Sequence, residues 1–217
     1  MKRILEPEIM DNAAGAVAYA AADFSESNQS YVDHVLMDFP EPPGNVVDIG
    51  CGPGDVAIRL ARARADVQIT AVDGSQEMLK LAGQAIKRAG FEHRITLLHT
   101  RIPSASLPDR AFDAVLSKDM LHHLPDPAVL WSEARRLARP GGVVCVMDLT
   151  RPGSPDEARA IVESVTPDEH PILKEDFYNS LCAAFTIEEV HEQLRAANLS
   201  LDVERVSSRH IRIRGRL

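Results

Sequence analysis

Short runs of neighbouring apolar residues alternate along this chain with segments whose apolar residues return at helical spacing. Val46, Val47 and Ile49 make the first run, and residues 67–72 make the second, which ends in Asp73. Ile95-Thr96-Leu97-Leu98, Phe112-Asp113-Ala114-Val115-Leu116 and Val143-Val144-Cys145-Val146-Met147 follow, the last ending in Asp148. Runs this apolar predict buried strands. Between them, residues 55–61 carry apolar positions at helical spacing, and residues 76–89 place Met78, Leu79, Ala82 and Ile86 on one helix face. Ser75 is a suitable N-cap for that helix and Gly90 a suitable stop. Asp126-Pro127 supplies an N-cap and first-turn pair for a helix through Trp131 and Leu137, and Gly141-Gly142 turns the chain into the fifth strand.

Helical pattern also precedes the first strand, in the alanine-rich residues 13–22 and in residues 31–37, with Asp23 to Asn28 as an intervening loop or cap. Glu41-Pro42-Pro43-Gly44 breaks the pattern. Beyond the fifth strand, Pro155-Asp156-Glu157 opens one helix, and residues 176–180 sit in another. Thr186-Ile187-Glu188-Glu189 is a capping box for a helix over residues 188–197. Residues 201–206 and 210–213 read as two closing strands, an antiparallel pair at one edge.

The richest chemistry follows the first strand, where Asp48-Ile49 opens into Gly50-Cys51-Gly52-Pro53-Gly54. Three alternate glycines permit backbone angles closed to other residues and let a ligand lie against bare main chain. The order G-x-G-x-G is not the dinucleotide fingerprint G-x-G-x-x-G, and no G-x-x-x-x-G-K-[ST] loop occurs. A carboxylate at Asp48 suits a ligand amino group better than a phosphate, which prefers N–H donors. Asp73, at the end of the second strand, is placed to accept both hydroxyls of a ribose.

Val46-Val47-Asp48-Ile49-Gly50-Cys51-Gly52-Pro53-Gly54 followed by Ile69-Thr70-Ala71-Val72-Asp73 resembles motifs I and II of the class I S-adenosylmethionine-dependent methyltransferases. Phe112 to Leu116, Leu121-His122-His123-Leu124-Pro125-Asp126-Pro127 and Leu137-Ala138-Arg139-Pro140-Gly141-Gly142 continue the likeness in family order, over residues 44–150. It implies an α/β fold, a doubly wound, seven-stranded, mostly parallel Rossmann-like sheet in one domain. Residues 1–40 would be an N-terminal helical cap, 44–150 the cofactor-binding core, 151–185 a variable lid, and 186–217 the last helix and strand pair.

The resemblance also assigns roles. Asp48, Gly50, Cys51, Gly52 and Gly54 would hold the methionine end of S-adenosylmethionine, and Asp73 its ribose. Gly74, Ser75 and Met78 would line the adenine, although Met78 also suits a plain core position. Relatives commonly show Gly-Asp-Ala after the third strand, with the acid bonded to the adenine amino group. Here Thr100-Arg101-Ile102 stands instead, and arginine has no acceptor to replace that acid. Arg101 then faces away or a backbone carbonyl reads the amino group, and Ile102 packs on the ring. Ser117, at the carboxyl end of the fourth strand, counts among the cofactor-binding residues. Tyr19, with Phe24 and Asn28, either closes the cap over the cofactor or simply anchors the helices. Some bacterial small-molecule and natural-product O-methyltransferases place a His-His pair and an acid after strand five around the acceptor hydroxyl. His122 is then the base, His123 its support and Asp148 the group that orients an imidazole, unless Asp148 only caps the next loop.

The formal charge of −8 over 217 residues and a pI near 5.5 oppose a phosphate-binding face. Arg205, Arg209, Arg212, Arg214 and Arg216 are the single basic concentration, and their near-alternation predicts the solvent face of an edge strand. Three distant cysteines form no zinc spacing and suggest reduced thiols in the cytoplasm. Asp119 lacks the further acids a magnesium site would need, so no metal is expected. No apolar run approaches the roughly 18 residues of a membrane span, and the start shows no leader pattern. The expectation is a cytoplasmic enzyme that methylates a hydroxyl or amine of a small-molecule acceptor, with neither nucleic acid nor membrane as partner. An RNA or protein methyltransferase is the alternative, although Ser117-Lys118-Asp119-Met120 is unlike the N-P-P-[YF] of amino-methylating nucleic-acid enzymes. A noncatalytic S-adenosylmethionine-binding protein is the other.

Overall fold

The computed structural model describes residues 1–6, 19, 22–38 and 44–217. Most of the alanine-rich stretch and the Glu41-Pro42-Pro43 break lie outside them. Among the described residues, seven strands form one sheet in the order β3-β2-β1-β4-β5-β7-β6. Strands β1 (Asn45–Ile49), β2 (Gln68–Asp73), β3 (Ile95–His99), β4 (Phe112–Lys118) and β5 (Ala138–Leu149) run parallel to their neighbours in that group. Strand β7 (His210–Arg216) pairs antiparallel with β5, and β6 (Asp202–Arg205) antiparallel with β7.

Consecutive strand residues point to opposite faces, so one apolar run supplies two cores. Val46 and Ala114 face one layer, where Tyr31, Val32 and Val35 of α1 (Ser25–Asp38), Leu60 of α2 (Asp55–Ala63), and Ala82 and Ile86 of α3 (Gln76–Ala89) pack. Val47 and Val115 face the other layer, made by Trp131 and Leu137 of α4 (Ala128–Leu137), and by Val190 and Leu194 of α7 (Ile187–Ala196). A third cluster joins Leu149 to α5 (Pro155–Val165) and α6 (Pro171–Ala183) through Ala158, Val162 and Leu181.

Local chemistry sets the boundaries much as expected. Ser75 caps α3 by accepting from Met78 N, Gly90 ends it at φ +75°, and Thr186 and Glu189 form a complete capping box on α7. Four details differ from the expectations. Residues 25–28 already belong to α1, where Asn28 N donates to Phe24 O at 2.9 Å. Strand β5 begins at Ala138 rather than after the glycines, with a register shift against β4. Helix α4 begins at Ala128, with Asp126 accepting from Ala128 N at 2.9 Å and Pro127 at the boundary.

The fourth difference concerns the arginines. Strand β7 lies inside the sheet, and β6 is the edge. Arg212 is buried, its Nη1 3.0 Å from Asp38 and its Nη2 on Glu204, while Arg214 Nη1 lies 2.7 Å from Asp38. Arg212 and Arg214 thus form ion pairs with the edge strand and the end of α1, while Arg205, on the edge strand, and Arg216 are exposed as the alternation suggests.

Candidate active site

The carboxyl ends of β1, β2, β4 and β5 meet at one edge, where the strand order reverses between β1 and β4 and an open α/β sheet leaves a crevice. At β1 the chain turns back on itself. Gly50 N and Cys51 N both donate to Val72 O at the end of β2, at 2.8 and 2.9 Å. Gly50 takes φ +77°, and a Cβ there would fall 2.5 Å from Met120 Cγ, so glycine is obligatory on both counts. At Gly52, φ is +50°, and a Cβ would meet nothing within 4 Å. Bare main chain there borders open space. Gly54, at φ +85°, leads into α2, and Cys51 is buried beneath the turn.

Asp48 is 2 % exposed, and its Oδ2 has no hydrogen-bond partner among the described residues. Burial, with Asp73 nearby, pushes its carboxyl up to about 7 despite the opposing pull of Lys118. Asp73 accepts from Gly52 N through Oδ2 and from Ser75 N through Oδ1, both at 2.8 Å. Those bonds fix the carboxylate and leave lone pairs toward the crevice, while burial still raises its pKa. These groups fit S-adenosylmethionine: an orphaned buried acid for a cationic amine, uncovered backbone, and a positioned acceptor for vicinal hydroxyls.

The remaining residues expected around the cofactor divide. Ser75 and Met78 are buried at the head of α3, and the Arg101 stem lies over Gly74, where a Cβ would stand 3.1 Å from Arg101 Cγ. Ile102 is half-buried against the core. Ser117 is fully buried, and its hydroxyl donates to Ile49 O at 2.8 Å, so its side chain ties β4 to β1. Tyr19 stacks beside Phe24 with ring centroids 4.7 Å apart. Burial raises its phenol well above 10, and Asp119, Asp73, Asp148 and Glu6 add to the shift, so the ring is within electrostatic reach of both sides of the crevice. Asn28 Nδ2 donates to Asp55 at 2.9 Å and ties α1 to the first turn of α2.

Across the crevice, Leu121–His123 forms a single 3-10 turn after β4. Asp148, at the end of β5, accepts from Leu121 N through Oδ2 and binds His122 Nδ1 through Oδ1, both at 2.7 Å. Both side chains are nearly inaccessible to water. Burial pulls the His122 pKa down, but Asp148, Glu6 and Asp119 outweigh it, and the net shift is upward. His123 lies with its ring centroid 4.1 Å from that of His122, and its Nδ1 is 2.5 Å from Glu6 Oε2. Burial raises the Glu6 pKa, but the two histidines and Ser180, whose hydroxyl donates to Glu6 Oε1 at 2.5 Å, bring it below its ordinary value.

Sequence reasoning missed the N-terminal strap that carries Glu6. Arg3 donates to Ala183 O at 2.6 Å, His122 O at 2.9 Å and Leu124 O at 3.0 Å, and its guanidinium lies 3.8 Å over the Phe185 ring. It pins residues 1–6 to the histidine turn. Sequence reasoning also missed His210, which joins Lys118 and Asp119 beneath that turn. Lys118 pairs with Asp119, and His210 Nε2 stands 3.7 Å from it. Burial opposes ionisation of Asp119, yet Lys118, His210 and His122 hold it down to about 2, whereas burial pushes His210 down to about 4. Asp119 is therefore committed to an internal ion pair.

Residues 47–146 match the family described as "Methyltransferase domain". The chain is 28% identical over 180 residues to the 27-O-demethylrifamycin SV methyltransferase of Amycolatopsis mediterranei, covering 82% of this chain and 62% of that protein. It is 36% identical over 108 residues to the ubiquinone biosynthesis O-methyltransferase of Methylococcus capsulatus, covering 48% of this chain and 43% of that one. The chain thus spans about half the length of the curated relatives it matches. A crystal structure of an S-adenosylmethionine-dependent methyltransferase from Aquifex aeolicus superposes with a TM-score of 0.69 at 19% identity, over 94% of this chain and 98% of that one, and so shares the fold.

Proposed function

We propose that this chain is a class I S-adenosylmethionine-dependent methyltransferase that methylates a hydroxyl or amine of a small-molecule acceptor, with His122 as general base; the match of residues 47–146 to the methyltransferase-domain family and the shared fold support the reading. The observation that carries this reading is the buried His122–Asp148 pair, 2.7 Å long, opposite the glycine turn. Asp148 accepts a hydrogen bond from Nδ1–H, so Nε2 carries the lone pair in the neutral ring. Bound S-adenosylmethionine supplies an electrophilic methyl group on its sulfonium sulfur.

The chain's own residues do the rest. Asp48 holds the cofactor's amino end, with the main chain from Gly50 to Gly54 beneath it, and Asp73 holds the ribose. Gly74, Ser75, Met78, Arg101 and Ile102 border the adenine, and Tyr19 closes over the crevice. Holding both reactants in place contributes several kcal/mol, roughly 7–11 at the upper limit for well-oriented groups. Acceptance of the acceptor's proton at Nε2 contributes a further factor of about 10²–10⁴. Asp148 keeps the correct tautomer and stabilises the imidazolium that forms.

The O-methyltransferases among the relatives support the hydroxyl as acceptor group. The relevant experiment follows S-adenosylhomocysteine formation with a panel of small hydroxylated acceptors. Turnover by the wild type that His122→Gln reduces at least a hundredfold, with cofactor affinity retained, supports the reading. Equal turnover by the two removes His122 from the mechanism.

A further inference from the structure

The same turn presents a donor set that proton acceptance alone does not require. One ligand atom from each of Glu6, His122 and His123 lies within 4.8 Å of the other two, and Glu6 Oε2 stands 2.5 Å from His123 Nδ1. Three donors at about 2.0–2.2 Å from a tetrahedral ion stand roughly 3.4 Å apart, a spacing that small side-chain shifts within this cluster would reach. We propose that Glu6, His122 and His123 bind a single divalent first-row transition ion of the zinc or cobalt kind, leaving one position open toward the crevice.

Two imidazoles and one carboxylate are ligands such ions prefer to the all-oxygen shells of magnesium or calcium. Two of the three donors are already held from behind. Asp148 binds His122 Nδ1, which orients the ring, makes Nε2 the donor and raises its basicity, the usual support of a metal-bound histidine. Ser180 donates to Glu6 Oε1 and leaves Oε2 to face His123. Arg3 grips the carbonyls of His122 and Leu124 from the strap that carries Glu6, so one element fixes all three donors.

Ion binding stands apart from methyl transfer. Only one consequence rests on the methyl-transfer reading: the ion would take the His122 lone pair that receives the acceptor's proton, so a filled site silences the base.

The test is a titration of the chelator-stripped protein with Co(II) at pH 7.5, read by visible absorption and calorimetry, with uptake of S-adenosylhomocysteine measured on the same samples. The expected result is one equivalent of Co(II) in the wild type. Glu6→Gln and His123→Gln should each weaken it at least tenfold, Asp148→Asn by about 10–100-fold, and His191→Gln, on the exposed face of α7, not at all. Retained uptake of S-adenosylhomocysteine by each variant shows that it is folded. No saturable uptake of Co(II) by the wild type, or uptake that Glu6→Gln and His123→Gln leave unchanged, overturns the ion site. If S-adenosylhomocysteine still binds in that case, the methyl-transfer reading is untouched.

Discussion

The two sides of the crevice are built on opposite plans. On the side of β1 and β2, the main chain makes the site, from contiguous residues, and its buried acid Asp48 is left without a partner. On the side of β4 and β5, side chains make it, gathered from distant segments, and Asp148, His122, His123 and Glu6 are already bonded to one another or to Ser180. The first side is incomplete until a ligand arrives. The second is organised beforehand, as the proposed proton transfer would require, because a base that must reorient at the moment of reaction loses its advantage. At Asp48 the unsatisfied buried oxygen marks where a charged ligand would bind, and at Asp148 two occupied oxygens mark where geometry is held.

The largest effect should come from breaking the preorganised side. His122→Gln should slow methyl transfer by about 10²–10⁴-fold, measured as S-adenosylhomocysteine release, while cofactor affinity stays within about twofold. The pH profile sharpens the same point. With its pKa raised, His122 is the competent neutral base only above that value, so the rate should climb with pH through a limb above 6.5. Asp148→Asn removes the largest upward influence, so that limb should move to lower pH as the maximal rate falls.

On the ligand-accepting side, Asp73→Asn should weaken S-adenosylhomocysteine binding by about 10–100-fold, the value of one or two hydrogen bonds to a charged acceptor, measured by calorimetry. Melting temperature should fall modestly there, because the amide oxygen can keep only one of the bonds from Gly52 N and Ser75 N.

The last effect is a gain. The Asp48 carboxyl is raised from 3.8 to about 7 in the folded chain, so the folded state holds its proton more tightly than the unfolded one. That preference costs nothing below about pH 4, grows as pH rises through about 7, and is constant above it. Asp48→Asn should therefore melt higher than the wild type at pH 8 and equally at pH 4, while binding the cofactor more weakly.

The same contrast decides what was legible in the sequence. Strand runs, caps and the glycine turn are local signals, so β1 to β5, the ends of α3 and the capping box of α7 fall within a few residues of where the pattern puts them, β5 excepted at its start. Asp48, Gly50, Gly52 and Asp73 were legible for that reason. The alternating arginines misled because their partner Asp38 lies 176 positions from Arg214, and no local pattern reports a countercharge that far away. Glu6 and Arg3 were invisible for the same reason: Arg3 reaches His122 O across 119 positions and Glu6 meets Ser180 across 174. His122, His123 and Asp148 stood out by residue type and strand end, but their pairing exists only in the folded chain.

The central claim, that one side waits for a charged ligand at Asp48, is tested most directly by titrating S-adenosylhomocysteine into the protein at pH 7 in two buffers of different ionisation enthalpy. A bound amino group beside Asp48 should drive its carboxyl to ionise, so the wild type should release part of a proton per ligand, and Asp48→Asn should release less. Tight binding with the same proton release in both proteins, or no uptake of the ligand at all, would contradict the account.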